Sequence, residues 1–184
     1  QTKGIVEATI NSTSMEVGDE PKQIKQKFPD VSVIVSASRR KAINKIVLGQ
    51  IGNNPDVIIL DDSYQHRYVK TGVTILLIDY NRPIYEDYLL PYGRLRESAA
   101  EINRANIVVV TKSPIGLKPI ERRIIYKNLN LYPYQTLLFS SLKYGKLTPL
   151  WGNSDSIPDD FNTEGYTVLL LTGIANPALL RKHL

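Results

Sequence analysis

Cysteine is absent from this chain, which removes disulfides, a thiol nucleophile and any thiolate metal site. Histidine occurs only as His66 and His183, too few for a zinc cluster. Tryptophan and methionine appear once each and phenylalanine three times, against eleven tyrosines. No apolar run approaches the roughly 18 to 20 residues that cross a bilayer as a helix. The amino end lacks the order of a signal peptide, a charged region followed by an apolar one and small residues. A further absence concerns phosphate chemistry. A phosphate-cradling loop needs Gly, four residues, then Gly-Lys and Ser or Thr. The Gly145-Lys146 pair has Ser140 where the first Gly should stand and Leu147 where the hydroxyl should stand, so it fails at both ends.

What is present describes a folded α/β protein. The 184 residues suffice for one well-filled core, and 42% hydrophobic with 22% charged residues is a globular composition. The net charge of +5 is spread along the chain and points only weakly to anionic ligands. Short apolar runs alternate with polar, helix-like segments. Strands are expected at Gly4–Ile10, Val31–Val35, Val57–Leu60, Val73–Ile78, Asn106–Val110, Gln135–Phe139 and Tyr166–Leu171. Helices are expected at Glu20–Phe28, Arg40–Ile51, Glu97–Arg104, Pro119–Leu129 and Pro177–Leu184. The polar, turn-rich stretch 152–165 reads as a loop between two halves of a sheet within one domain, residues 1–184. Both ends are abrupt, as expected of a piece of something longer.

The sharpest local signal is Val57-Ile58-Ile59-Leu60-Asp61-Asp62, followed by Ser63-Tyr64-Gln65-His66. A strand buried on both faces belongs to a parallel sheet, whose ligands gather at the carboxyl ends of the strands. Two acids there suit a magnesium ion on nucleotide phosphates, the alternative being a helix-cap Asp beside a surface Asp. In Gly18-Asp19-Glu20-Pro21, Asp19 is either a helix N-cap or a carboxylate that accepts a hydroxyl proton. Leu89-Leu90-Pro91-Tyr92-Gly93-Arg94-Leu95-Arg96-Glu97 is a loop entering a helix. Its Arg94 and Arg96 either grip phosphate or stay solvated, with Glu97 favoured by the helix dipole. Arg39-Arg40-Lys41 offers the same choice at another helix start. Thr111-Lys112 ends a strand like a guanine-recognition site, but Pro114 stands where that site needs Asp, which argues against a GTPase.

Taken in order, these motifs resemble the tetraacyldisaccharide 4′-kinase family, the lipid A 4′-kinases. The likeness runs over nearly the whole chain. It rests on Asn11-Ser12-Thr13, Gly18-Asp19-Glu20-Pro21, Asp61 to His66, Leu90 to Glu97, Arg104-Ala105-Asn106, Val110-Thr111-Lys112 and Gly173-Ile174-Ala175-Asn176-Pro177. Ser63-Tyr64 departs from the family's usual Gly-Phe, and a positive φ at that turn would fall hard on Ser63.

The resemblance implies a P-loop-type α/β fold with a mostly parallel sheet flanked by helices. It also implies ATP-dependent phosphorylation of the 4′-hydroxyl of an acylated disaccharide 1-phosphate, with Mg2+ as the metal. Asp19, Arg96 and Glu97 are then the catalytic group, with Asp19 as base. Asp61 and Asp62 are the metal acids, Asp62 and His66 lie at the nucleotide, and Arg39 and Arg94 hold the anionic substrate. The phosphate loop, a membrane-associating helix and a histidine supporting Asp19 are expected outside residues 1–184, so these residues alone should not turn over ATP. The implied location is peripheral, at the cytoplasmic face of a bacterial inner membrane, without nucleic acid. Two other classes stay open: another P-loop ATPase or small-molecule kinase, and a non-catalytic binding module.

Overall fold

The computed structural model describes residues 4–145, 147, 165, 167–174 and 176–183. Within them the chain is α/β, with a three-stranded parallel sheet flanked by helices and a separate two-stranded antiparallel sheet. The architecture agrees with a P-loop-type kinase core.

The parallel sheet has the order β3-β4-β5, from Ile75–Asp79, Ile107–Thr111 and Thr136–Phe139. Its register sets Leu76 beside Val108 and Leu137, and Ile78 beside Val110 and Phe139. These side chains share one face because strand side chains alternate. Against that face pack Ile102, Ala105 and Leu129, and Val108 is wholly out of solvent. Full burial of a Val, Ile or Leu side chain of this kind contributes about 1.5–3 kcal/mol. The opposite face, with Ile75, Leu77 and Leu138, is exposed.

Helix α4 (Pro119–Leu129) makes the crossover from β4 to β5 and supplies Leu129. Pro119 suits the first turn, where its missing N–H has no helical partner, and the Lys118 amide donates to Glu121 Oε2 at 2.7 Å. Asn130 ends the helix in a left-handed conformation.

The motif Arg104-Ala105-Asn106 divides its work by residue. Ala105 is buried in the core, and Asn106 Oδ1 accepts the Thr74 amide at 2.8 Å ahead of β3. Buried Gln135 donates to the carbonyls of Ile102 and Ala105, each at 2.8 Å, so the chain before β4 is tied to the start of β5.

The antiparallel pair joins β1 (Ile5–Ala8) to β2 (Val33–Ser36), with Ile5 opposite Ser36. Helices α1 (Ser14–Val17) and α2 (Asp19–Lys27) lie between these strands, and α3 (Arg39–Val47) follows. A last helix, α5, spans Ala178–His183.

Several sequence expectations need correction. Val57–Leu60 is not a strand, and Val57 and Ile59 are exposed at 72% and 87%. An apolar run becomes a strand only when a neighbour takes its N–H and C=O groups, and among the described residues no strand pairs with it. The single sheet expected therefore becomes two. Residues 167–171 carry no strand either, while Tyr166 and the expected loop 152–164 lie outside the described residues. The helix expected at Glu97–Arg104 is a 3-10 segment, Ala99–Arg104, opened by Ser98 Oγ accepting the Ala100 amide. Helix α1 was not expected, although Thr13 and Glu16 spell a capping box and the Thr13 amide donates to Glu16 Oε2 at 2.8 Å.

Candidate functional site

The segment from Asp61 to Arg67 is a turn-rich loop held by two guanidinium groups. Arg39, first residue of α3, donates from Nη2 to the carbonyls of Asp61 and Asp62 at 3.2 and 3.3 Å. Its Nη1 lies 2.7 Å from His66 Nε2. A guanidinium can only donate, so Nε2 accepts and the imidazole proton sits on Nδ1. Acid–base work by His66 would therefore run through Nδ1. Arg39, expected at the substrate, is here engaged with the loop itself.

The Asp61 and Asp62 side chains face solvent, and neither is paired with a cationic side chain among the described residues. Asp61 Oδ1 accepts the Asp62 amide at 2.9 Å, and Ser63 Oγ donates to the Leu60 carbonyl at 3.1 Å. The left-handed residue of the turn is Asp62, with φ 41°, not Ser63. Asp tolerates that region better than most side chains, which resolves the question raised by the missing glycine. Among the described residues no three acids or histidines converge as a ready-made metal cage. Magnesium commonly takes one or two carboxylates and completes its shell with phosphate and water, so the Asp61–Asp62 pair fits that donor chemistry.

The second guanidinium is Arg104. Its Nη1 donates to the Tyr64 carbonyl at 2.8 Å, and its Cζ stands 4.3 Å from the centre of the Tyr64 ring. Its Nη2 donates to Glu97 Oε2. Its Nε lies 2.7 Å from Glu101 Oε2, a charge contact without hydrogen-bond alignment, so the buried Nε–H has no hydrogen-bond partner. Arg67 closes the group, 2.9 Å from Glu101 Oε2 and 3.6 Å from Glu97 Oε2. The hydrogen bond and charge of Glu101 hold the Arg67 guanidinium still more firmly protonated. The Tyr64 hydroxyl donates to the Glu101 carbonyl at 2.5 Å. Burial, the largest influence on that hydroxyl, raises its pKa against the opposing pull of Arg104.

Arg94 and Arg96 stand on a tightly closed loop. Asp87 Oδ1 accepts the amides of Tyr88 and Arg94 at 2.8 and 3.0 Å. The Arg94 and Tyr88 amides, in that order, hold the Asp87 carboxyl below the usual carboxylate range. Gly93 is required by packing, since a Cβ there would lie 2.1 Å from the Tyr88 carbonyl oxygen. The two arginine side chains are exposed and unpaired among the described residues, whereas neighbouring Glu97 is half-buried and engaged.

Asp19 opens α2, but the N-cap position belongs to Gly18, whose φ of 93° suits glycine, and Asp19 makes no cap hydrogen bond. Its exposed carboxylate lines a shallow hollow with Ser14, Glu20, Lys22, Gln23 and Gln26. No hydrogen bond or ion pair joins Asp19 to the Asp61–His66 loop. Because β1 and β2 are antiparallel, their carboxyl ends leave opposite ends of that sheet. Asp61, Asp62, His66 and Arg39 are brought together, and Glu97 is joined to the same loop through Arg104. Asp19, Arg94 and Arg96 are not in contact with that group.

At the carboxyl edge of the parallel sheet, Lys112 pairs with Asp79 Oδ2 at 2.6 Å, and Thr111 Oγ1 donates to the Ile78 carbonyl at 3.2 Å. Burial raises the Asp79 carboxyl, but the Lys112 hydrogen bond, the Asn81 amide and the Lys112 charge together leave it lowered. The Thr-Lys pair thus closes the strand ends on each other.

Sequence reasoning missed Arg67 and Glu101, and it noted Arg104 only within the motif Arg104-Ala105-Asn106, with no role at the site. Their signal was the recurrence Glu97, Glu101, Arg104, whose four- and three-residue spacing puts charges along one face of a helical stretch.

Comparison with known proteins agrees with the resemblance. A family model described as "Tetraacyldisaccharide-1-P 4'-kinase" matches residues 1–184. A tetraacyldisaccharide 4'-kinase of Phocaeicola vulgatus is 45% identical over 184 residues, covering 100% of this chain and 50% of that protein. One from Bacteroides thetaiotaomicron is 46% identical with the same coverage, and one from Flavobacterium johnsoniae is 41% identical over 96% of the chain and 51% of its own length. The chain spans about half the length of the curated relatives it matches. No solved structure matches it. With an end-to-end family match and relatives this similar, the chain belongs to the tetraacyldisaccharide-1-phosphate 4′-kinase family.

Proposed function

We propose that the protein carrying this chain transfers the γ-phosphoryl group of ATP to the 4′-hydroxyl of a tetraacyldisaccharide 1-phosphate. The observation that carries the reading is the Asp61–Asp62 pair: two carboxylates with no cationic side-chain partner among the described residues, on a loop whose backbone is gripped by Arg39. The relatives' names supply the acceptor class. Asp61 and Asp62 would hold magnesium, which when bound neutralises phosphate charge.

The remaining roles belong to side chains of this chain. Asp19, free of any capping duty, orients the sugar hydroxyl and takes its proton. Arg96 and Arg94 are exposed and form no ion pair among the described residues, fit to meet the moving phosphoryl group and the substrate's own phosphate. His66 lies beside the acids, with Nε2 taken by Arg39 and Nδ1 left to donate. Because an acylated acceptor stays in a bilayer, the work takes place at the cytoplasmic membrane surface. Residues 1–184 contain no phosphate-cradling sequence, so activity requires the rest of the protein.

The test is phosphate transfer from labelled ATP to tetraacyldisaccharide 1-phosphate by the full-length protein, the 184-residue chain and full-length Asp19→Asn. The full-length protein should be active and the chain inactive. Asp19→Asn should lose about a hundredfold or more in turnover, with ATP affinity nearly unchanged. Unchanged turnover removes Asp19 from the mechanism, and transfer only to soluble acceptors overturns the substrate.

A further inference from the structure

We propose that Arg104 is a positioning residue that locks the Arg96–Glu97 loop to the Asp61–His66 loop, so that both face the substrate as one rigid body. The proposal rests on the phosphoryl-transfer reading of the same site and adds a residue that does not touch the reacting groups.

Three observations carry it. Arg104 reaches both loops at once: Nη1 holds the Tyr64 carbonyl, between the Asp61–Asp62 acids and His66, and Nη2 holds the carboxylate of Glu97, next to Arg96. Arg104 Cζ lies over the Tyr64 ring, 4.3 Å from its centre, and because the guanidinium is one rigid plane its two donor directions are not independent. The group is also anchored in the core: Arg104 stands between Ile102, 5% exposed, and Ala105, 1% exposed. Any shift of its backbone would disturb the packing against Val108 and Leu129.

The charge pattern points the same way. Arg67 and Arg104 face Glu97 and Glu101 in a closed, neutral group of two cations and two anions. A neutral knot adds little field to a site that must hold phosphates, yet fixes direction. Glu97 in this arrangement is a tether and not a free base. Its partner in the motif, Arg96, keeps an exposed side chain with no ion pair among the described residues, whose aim the tether sets. Loss of about one ångström in such placement can cost a hundredfold in rate.

The experiment uses the full-length protein and the variants Arg104→Gln, Arg104→Lys, Glu97→Gln and Arg104→Gln with Glu97→Gln. Arg104→Gln should lower kcat at least tenfold while KM for ATP changes less than threefold. Arg104→Lys, which keeps the charge but not the fork, should recover little of the loss. The double variant should be no slower than the slower single one, because both changes cut the same tether. Multiplying losses, or kcat within twofold of wild type for Arg104→Gln, overturn the proposal. Hydrogen exchange of the Ser63–Arg67 amides gives a readout that needs no catalysis. It should quicken in Arg104→Gln, and unchanged exchange also overturns the proposal. If the wild-type protein transfers no phosphate, the functional reading fails on that result, and exchange alone decides whether Arg104 couples the loops.

Discussion

Val108 in β4 is wholly out of solvent with Ile78 and Val110 beside it, whereas every residue of β2 is only half-buried and no residue of α2 is buried. The two strand systems lie in one chain and differ in what holds them. The parallel sheet has a contiguous core on one face and a buried glutamine that ties its segments through backbone carbonyls. The antiparallel pair has four ladder partners and scattered burial at Ala8, Val17, Ala42 and Ile46. The candidate site sits where the two meet. Arg39, from the thinly packed side, and Arg104, from the core side, grip the same loop at different carbonyls. The loop therefore has one wall packed on a contiguous core and one wall with little buried area.

The contrast can be tested by truncation on each side. Ile78→Ala removes a core side chain and should cost about 2–5 kcal/mol. Ile34→Ala in half-buried β2 should cost under about 1.5 kcal/mol, since less area returns to water. Urea unfolding of the two variants in the full-length protein measures both. Equal losses would erase the distinction between the walls.

A smaller effect comes from the carboxyl edge of the parallel sheet. Asp79 is held below the usual carboxylate range when folded, with Lys112 as its main stabilising partner. A group lowered in this way stabilises the fold above its unfolded pKa, and the contribution disappears as pH falls through the folded value. Both side chains are partly exposed, so the pair contributes at most about 1 kcal/mol. Lys112→Met should lose that amount at neutral pH and nothing in strong acid, read from unfolding midpoints at both conditions. A loss that persists in acid would mean that Lys112 acts through packing and the turn at its φ of 56° instead.

The parallel sheet and helices α2 to α4 were legible from the alternation of apolar runs with polar, periodic segments. Pro119 and Leu129 even marked the bounds of α4. Val57–Leu60 reads as a strand because composition reports what a segment would bury, not whether a neighbour is there to pair with it. In the site, Asp61, Asp62 and His66 stood out as acids and a histidine after an apolar run, but that run is not a strand and both acids are exposed, so the buried strand end that made them conspicuous is absent. The role of Arg39 was not legible, since a basic residue at a helix start looks the same whether it meets solvent, phosphate or a backbone carbonyl. Arg104 was visible within its motif, but its role was hidden for a related reason: its partners Tyr64 and Glu97 are 40 and 7 residues away, and only the fold brings them together.

Glu97 and Glu101 are neutralised by arginines, while Asp61 and Asp62 form no ion pair among the described residues and, on the proposed reading, hold the metal. Electron paramagnetic resonance of Mn2+ with ATP on the full-length protein tests this most directly, comparing wild type with Asp61→Asn, Asp62→Asn and Glu101→Gln. The account predicts that at least one aspartate variant weakens Mn2+–ATP binding about ten- to a hundredfold, while Glu101→Gln leaves it within a fewfold. Unchanged affinity in both aspartate variants would contradict it.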